Sequence, residues 1–365
     1  MRVKYVDFSG QYAAERPRLL KTFDRVMREG EYIAGHDVEE FEAKFARLCG
    51  ARHAIGVANA TDALTLALKA VGVGPGDEVI TAPNSFIASA GAIAQAGATP
   101  VFADVKPDQL MDPAKLAGAL TRRTKAILPV HLTGKVCDMD AINRFARRHK
   151  LKVVEDAAQA VGAKRGGRVA GSFGDAACFS FHPLKNLNAA GDAGAIVTND
   201  AAVAARLRLL RNHGLKSRNE VSFWGYNSRL DTLQAAILSE RLKGLAGVTK
   251  KRRLNAAKYR KGLAGVVECP NDDRGAVDVY HLFVIQADRR DELQVFLKSK
   301  GISTAIHYPT PIHLQPAAKS LGGKKGDFPE TERQSARILS LPVHQYLTAK
   351  QLDHVIASVR EFYRR

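Results

Sequence analysis

Residues 124–157 read TKAILPVHLTGKVCDMDAINRFARRHKLKVVEDA, with an apolar run at each end of a segment that has helical spacing. The first run, TKAILPVH, and the last, KVVEDA, have the length and branched apolar content of strands. The middle segment, AINRFARRHK, repeats its apolar residues at intervals typical of an amphipathic helix. A strand, a helix and a strand in this order predict two parallel strands joined by a crossover helix.

The same alternation continues toward the N-terminus. EEFEAKFARLC (39–49) predicts a helix that ends at Gly50, and ATDALTLALKAVG predicts another that Asn59 or Thr61 can cap. ARHAIGVANA, EVITAP and TPVFADV are short apolar runs of the kind found in strands that are covered on both faces. We therefore predict an α/β fold, with a large domain (1–245) built on a mostly parallel sheet flanked by helices.

After about residue 245 the pattern changes. A basic helix (250–261), a strand at VYHLFVIQ (279–286) and a C-terminal helix at QLDHVIASVREFYR predict a smaller α/β domain over residues 246–365. The N-terminal segment could pack with this smaller domain.

The net charge of +18 is large for 365 residues. Basic residues nevertheless occur in short groups without interleaved aromatic residues, so we predict no nucleic-acid binding as the primary function. A positive surface also attracts small anionic substrates such as diphosphates.

Several other function classes lack their motifs. The four cysteines form no CxxC pair, which argues against a zinc site and a disulfide scaffold, and no metal is predicted. There is no GxxxxGK[ST] motif of a nucleotide hydrolase. Neither a secretory leader nor a membrane span is recognisable, so we expect a cytoplasmic protein without membrane contact.

The predicted strand ends carry the candidate chemistry. Asn59-Ala60-Thr61 opens a helix, whose free N–H groups suit a phosphate. Phe86, Asp156 and Lys185 follow other strands. Taken alone, Asp156 is more often a salt-bridge partner or helix cap, and Lys185 more often a surface lysine. Together, a phosphate cup, an aromatic ring, a carboxylate and a lysine match the requirements of pyridoxal phosphate.

The chain resembles the DegT/DnrJ/EryC1/StrS family of sugar aminotransferases, which belong to the fold-type I (aspartate aminotransferase) group. The resemblance covers roughly residues 3–363. Its motifs are GVANATDALTLAL (56–68), GPGDEVITAPNSFIAS (74–89), GATPVFADV (97–105), LPVHLTGKVCDMDAI (128–142), VVEDAAQAVGA (153–163), FGDAACFSFHPLKNLNAAGDAGAIVTND (173–200), RNHG (211–214), GYNSRLDTLQAAIL (225–238), IHYPTPIHLQP (306–316) and LSLPVH (339–344).

The resemblance implies roles for individual residues. Lys185 matches the Schiff-base lysine, and Asp156 matches the partner of the pyridine nitrogen; these two are the catalytic residues. Further cofactor contacts are implied at the ring and at the phosphate, the last of them from a neighbouring subunit of a homodimer with shared sites: Phe86, Gln159, Ala60, Thr61, Ser180 and Asn227.

The substrate side is less defined. The resemblance implies that Arg229, His307, Tyr308 and His313 lie in segments that line it, although Tyr308 and His313 could simply pack or cap. His131 and His182 could be core packing.

Relatives that remove a sugar hydroxyl carry histidine in place of the lysine, so Lys185 implies transamination. The implied reaction moves an amino group from an amino acid, typically glutamate, to a keto-sugar, most often one linked to a nucleotide. A keto-inositol or a free oxidised sugar acid remains an alternative acceptor. A non-catalytic regulator with the same fold is a third possibility.

Overall fold

The computed structural model describes residues 1–364. In this part of the chain the α-helices are α1 (Phe8–Glu29), α2 (His36–Cys49), α3 (Ala60–Ala70), α4 (Ala88–Gln95), α5 (Leu116–Ala119), α6 (Met139–Arg148), α7 (Ala201–Leu210), α8 (Thr232–Leu242), α9 (Leu245–Leu263), α10 (Arg290–Ser299), α11 (Pro329–Ser335) and α12 (Ala349–Arg364). The strands are β1 (His53–Val57), β2 (Glu78–Thr81), β3 (Thr99–Phe102), β4 (Thr124–Leu128), β5 (Lys152–Asp156), β6 (Lys164–Arg165), β7 (Arg168–Val169), β8 (Ala176–Ser180), β9 (Gly194–Thr198), β10 (Leu215–Ser217), β11 (Glu220–Val221), β12 (Ala276–Val277), β13 (Phe283–Gln286) and β14 (Ile338–Leu341).

The main sheet has seven strands in the order β1-β9-β8-β5-β4-β2-β3. The strands from β8 to β3 are parallel neighbours, which confirms the predicted α/β fold with a mostly parallel sheet. Strand β9 is the exception, since it runs antiparallel to both β1 and β8. The carboxyl ends of β1, β2, β4, β5 and β8 therefore meet at one edge of the sheet, where ligands bind in such folds.

Aromatic packing fixes the strand that leads to Lys185. Phe179 on β8 and Phe181 just after it meet Phe45 of α2 edge to face, with ring centroids 5.0 and 5.1 Å apart. Phe41 contacts Phe181 in the same geometry at 5.4 Å. Each such pair contributes about 0.5–1.5 kcal/mol beyond the burial of its area. Helix α2 thus holds the end of β8, and with it the loop that carries Lys185.

A second hydrophobic cluster lies around the antiparallel pair β13–β14 and helices α9, α10 and α12. Tyr259 and Phe283 are at its centre, with ring centroids 5.1 Å apart. Val3 belongs to this cluster and pairs with Ile302, so the start of the chain packs here. The domain boundary at 245/246 stays a prediction.

The strand predicted over residues 279–286 is shorter than expected, because β13 begins only at Phe283. Tyr280 has φ 46°, in the left-handed region, which interrupts extended pairing. Side chains, not a neighbouring strand, bind the carbonyl oxygens of Val279, Tyr280 and His281. Helix α1 was not predicted at all.

Within residues 1–364, no helix combines the length and apolarity needed to cross a membrane. The same residues contain no group of three metal-ligating side chains.

Candidate functional site

A cavity of about 350 Å³ opens at the carboxyl ends of the sheet strands. Residues from five strand ends, from the N-terminal segment and from the second hydrophobic cluster line it. Nine of the twelve predicted site residues meet in this cavity: Ala60, Thr61, Phe86, Asp156, Gln159, Ser180, Lys185, His307 and Tyr308.

Asp156, the last residue of β5, is a buried carboxylate held by two hydrogen bonds. Ser89 Oγ donates to its Oδ2 at 2.7 Å, and the Ala158 N–H donates to its Oδ1 at 3.1 Å. Burial raises the pKa of Asp156, while these hydrogen bonds and the charge of Lys185 oppose the rise. The two hydrogen bonds therefore fix the orientation of the carboxyl group. A cationic group in the cavity would stabilise its charged form.

Lys185 follows β8 in a turn closed by its own N–H, which donates to the His182 carbonyl oxygen at 2.8 Å. Its side chain lines the cavity. Burial lowers the pKa of Lys185 from 10.5 to about 8, and the charge of Asp156 works in the opposite direction. A neutral amine is the nucleophilic form of lysine, so this environment favours covalent chemistry with a carbonyl group.

One end of the cavity suits a phosphate group. Helix α3 begins at Ala60, and Asn59 caps it by accepting the Asp62 N–H at 2.8 Å. The Ala60 and Thr61 N–H groups belong to the first helical turn, which has no intrahelical acceptors. Ser180, at the end of β8, adds a hydroxyl to the same cavity. These donors and the positive end of the helix dipole have the chemistry that a dianion requires.

Strand β9 closes this end from behind. A Cβ at Gly194 would lie 2.6 Å from the Asn59 carbonyl group and 2.9 Å from the Ala60 nitrogen. Only a residue without a side chain lets β9 approach the turn so closely. The antiparallel strand thus fixes the position of the turn at Asn59 and Ala60.

Flat groups lie between the two ends. Phe86 is 53% exposed, and its ring lies 5.5 Å from the Tyr308 ring, centroid to centroid, with a tilt of 41°. Gln159 Oε1 accepts the Thr133 N–H at 2.7 Å, and its Nε2 faces the Tyr308 hydroxyl at 3.5 Å. An aromatic cofactor ring would find a stacking partner and a hydrogen-bonding amide here.

Three of the predicted site residues do not line the cavity. Asn227 lies in an exposed loop, where it pairs with Asn212. Arg229 donates to Asn212 Oδ1 at 3.2 Å. His313 is buried against Phe328 and bonds Glu332 Oε1 at 3.1 Å, which is the packing alternative considered for it.

The two histidines that could be core packing, His131 and His182, differ in burial. His131 is fully buried, and its Nε2 lies 2.9 Å from Glu155 Oε2, so it is a core residue as one interpretation of the sequence had it. His182 is exposed and lines the cavity, so the interpretation of this residue as core packing is wrong.

Several site residues were missed by the sequence reasoning. Ser89 was quoted only within a motif, although its hydroxyl binds Asp156. Others come from the N-terminal segment, from α9 and from positions next to the second cluster, none of which has a visible strand-end signal: Tyr5, Arg252, His281 and His344. Among these, Arg252 Nε and the Nδ1 atoms of His281 and His344 are buried without a hydrogen-bond partner among the described residues.

The chain is similar to known proteins over nearly its whole length. The model of the DegT/DnrJ/EryC1/StrS aminotransferase family matches residues 14–360. A "pleiotropic regulatory protein" of Geobacillus stearothermophilus is 47% identical over 369 residues, covering 100% of this chain and 99% of that protein. A dTDP-3-amino-3,4,6-trideoxy-α-D-glucose transaminase of Streptomyces venezuelae is 43% identical, covering 100% and 97%.

Solved structures agree in fold over the full length. DesV of S. venezuelae, in complex with a ketimine intermediate, matches with a TM-score of 0.98 at 43% identity, covering 100% of this chain and 99% of that one. NtdA of Bacillus subtilis, with bound cofactor PMP, matches with a TM-score of 0.92 at 32% identity, covering 100% and 86%.

Proposed function

This chain belongs to the DegT/DnrJ/EryC1/StrS aminotransferase family, and we propose that it transfers an amino group from an amino acid to a nucleotide-linked keto-sugar. The observation that carries this proposal is the convergence of Lys185, Asp156 and the phosphate-binding turn in one cavity. The relatives named as dTDP-sugar and UDP-sugar transaminases support a nucleotide-linked acceptor. The product would enter amino-sugar biosynthesis.

The donor set of the cavity fits pyridoxal phosphate. The turn at Ala60 and Thr61 would hold the phosphate with Ser180, Phe86 would stack on the ring, and Gln159 would lie beside the ring hydroxyl. When bound, the cofactor supplies an electrophilic aldehyde and a ring that takes up negative charge.

The two catalytic residues have separate tasks in this proposal. Asp156 would hold a proton at the pyridine nitrogen, because a buried carboxylate stabilises a cationic partner. Lys185 would hold the cofactor through its Nζ atom and, when that amine is free, would take up and return a proton there as base and acid. The lowered pKa of Lys185 suits both tasks, since its neutral form is populated near neutral pH.

The substrate side would lie near His307 and Tyr308, which line the cavity. We propose glutamate as the amino donor. Arg229 and His313 do not line this chain's cavity, so a substrate role for Arg229 would require it to reach a neighbouring subunit. A keto-inositol or a free oxidised sugar acid remains the alternative acceptor within the same chemistry.

We further propose a homodimer with shared sites, in which Asn227 reaches the cofactor phosphate of the partner. Exposed apolar side chains support an interface, among them Phe23 and Met27 on α1 and Trp224 near Asn227, which is 92% exposed. We propose a cytoplasmic location as well, in keeping with four free cysteines.

Reconstitution with the cofactor tests the proposed function. The purified protein should gain a visible absorption band with pyridoxal phosphate, and borohydride should fix the cofactor to the peptide that contains Lys185. Lys185→Ala should lose both the fixed adduct and amino transfer to keto-sugar nucleotides, whereas Lys125→Ala, at an exposed lysine of β4, should keep them. A wild-type protein that takes up no amine from any amino acid would falsify the proposal.

The name of the G. stearothermophilus relative favours a second candidate, a regulator with this fold. Its strongest form is a protein that binds the cofactor but transfers nothing. The intact pair of Lys185 and Asp156 opposes it, since a sensor needs neither group for proton transfer. Turnover with any keto-sugar would decide against the regulator.

A further inference from the structure

Arg252, on α9, lines the cavity and forms no salt bridge with any described residue. Its side chain is buried, and Nη1 donates to the carbonyl oxygens of Tyr280 at 3.0 Å and His281 at 3.2 Å. Nε is buried and has no hydrogen-bond partner within residues 1–364. Burial lowers the pKa of Arg252 to about 10, which still leaves it charged at neutral pH.

A buried guanidinium without a counterion is costly, because removal from water is repaid only by pairing with an anion. Tyr5 is its charge-coupled neighbour, but burial raises the pKa of the Tyr5 hydroxyl, so that group is neutral. No described carboxylate forms an ion pair with Arg252. The guanidinium therefore has unused capacity for an anionic ligand in the cavity.

Arg252 and the lysine loop hold the same short segment. Asn186, next to Lys185, donates from Nδ2 to the Val279 carbonyl oxygen at 2.8 Å. Arg252 binds the next two carbonyl groups of that segment. The positive charges of Lys185 and Arg252 also both lower the pKa of His281, after the larger effect of burial. An anion bound at Arg252 would thus lie close to the amine of Lys185.

The two proposed substrates carry their anionic groups at different distances from the carbon that reacts. In an amino acid, the α-carboxylate is bonded to the same carbon that carries the amine. In a nucleotide-linked keto-sugar, the diphosphate is attached to a ring carbon other than the ketone carbon. The anion that must lie near Lys185 during transfer is therefore the α-carboxylate, and the planar guanidinium fork matches it.

Resting on the aminotransferase function proposed above, we propose that Arg252 binds the α-carboxylate of the amino-acid donor. Arg252 is then a specificity-determining residue of the donor half-reaction. In the keto-sugar half-reaction no α-carboxylate is present, and the proposal places the diphosphate away from Arg252.

The test compares L-glutamate with its α-amide, L-isoglutamine, in single turnovers of the pyridoxal-phosphate-loaded protein. The wild type should prefer glutamate by about 10²-fold or more, since the amide removes one partner of a buried charge pair. Arg252→Met should slow the reaction of glutamate much more than that of isoglutamine, and should bring the preference to within a few-fold of one.

Arg253→Met is the matched control. Arg253 also lies on α9 and donates to the carbonyl oxygen of Asp278 at 3.1 Å, just before the same segment, but it does not line the cavity. A role limited to holding this segment would make both variants alike. Our inference requires that Arg253→Met keep the preference for glutamate.

Three results would overturn the inference: an unchanged preference in Arg252→Met, an equal loss in the keto-sugar half-reaction, or weakened binding of uridine diphosphate instead of glutamate. If Arg252→Met does not fold, Arg252→Lys decides, because a flexible point charge should retain only part of the preference. A wild type inactive with every amino acid would instead overturn the proposed function, so the two failures are distinguishable.

Discussion

Lys185 differs from a surface lysine in its surroundings, and this difference has a measurable consequence. Burial lowers its pKa to about 8, because a low-dielectric environment disfavours the ammonium form. The neutral amine is therefore populated at a lower pH than in a free lysine, whose pKa is about 10.4.

We predict that capture of pyridoxal phosphate by the cofactor-free protein accelerates as the pH rises through about 8. Below this pH the amine is protonated and non-nucleophilic, and well above it the rate should level off. Stopped-flow absorbance across the pH range measures the midpoint, with N-acetyl-lysine as the reference amine. A midpoint equal to that of N-acetyl-lysine would contradict a desolvated Lys185.

Ser89 is predicted to act through Asp156. Its hydroxyl donates to Oδ2 at 2.7 Å, so Ser89→Ala removes a hydrogen bond to a charged group, worth about 1.5–3 kcal/mol. We expect amino transfer to fall by about 10–100-fold with little loss of cofactor. Asp156→Asn should fall further, because an amide cannot hold a proton at the ring nitrogen. Measured kcat values for both variants check this order, and a Ser89→Ala loss equal to that of Asp156→Asn would count against it.

The close contact between β9 and the start of α3 fixes the end of the cavity at which we propose that the cofactor phosphate binds. Five strand ends place site residues at one edge of the sheet, whereas β9 packs against the turn from behind. A change on β9 should therefore affect phosphate binding even though β9 contributes no donor to it.

Gly194→Ala tests this contact. Its Cβ would meet backbone atoms of Asn59 and Ala60, which cannot rotate away as a flexible side chain could. We expect a loss of about 1–3 kcal/mol in the free energy of unfolding and weaker binding of pyridoxal phosphate. Gly118→Ala in α5, where a Cβ meets nothing within 4 Å, is the control and should leave both unchanged or improve stability. Urea titration and cofactor titration measure the two quantities, and unchanged cofactor affinity in Gly194→Ala would refute the link.

The mostly parallel sheet explains why part of the candidate site could be predicted from the sequence. Parallel strands with both faces covered are continuous apolar runs, so their ends, and the candidate residues on them, can be located from the pattern alone. Lys185 and Asp156 converge for this reason. Arg252, Tyr5 and Ser89 could not be found in the same way, because their positions depend on tertiary packing between distant segments and not on a local period.

For the whole molecule, the exposed apolar faces and the position of Asn227 bear on assembly. Asn227 is exposed and outside the cavity of its own chain, as a residue serving a partner's site would be. We therefore predict that inactive Lys185→Ala and Asn227→Asp chains complement each other, since a mixed dimer contains one site with both native residues.

Random mixing of equal amounts should restore about a quarter of the wild-type activity, given that half of the dimers are mixed and half of their sites are intact. Co-refolding followed by an amino-transfer assay measures this, and analytical ultracentrifugation establishes the dimer. Each variant mixed with itself is the control. No recovery in a confirmed dimer would mean that Asn227 does not serve the partner.

The insertion of β9 between β1 and β8 also has a consequence for the order in which the molecule folds. Among residues 1–364, strand β1 pairs with no strand other than β9, and paired residues such as Ile55 and Ile196 are about 140 positions apart. During synthesis from the N-terminus, β1 must wait for a strand made much later, and closing so long a loop is slow. The turn that follows β1, at which we propose that the phosphate binds, therefore acquires its final support only after the segment carrying Lys185 has emerged. The nascent chain would become competent to capture its cofactor in a single late step.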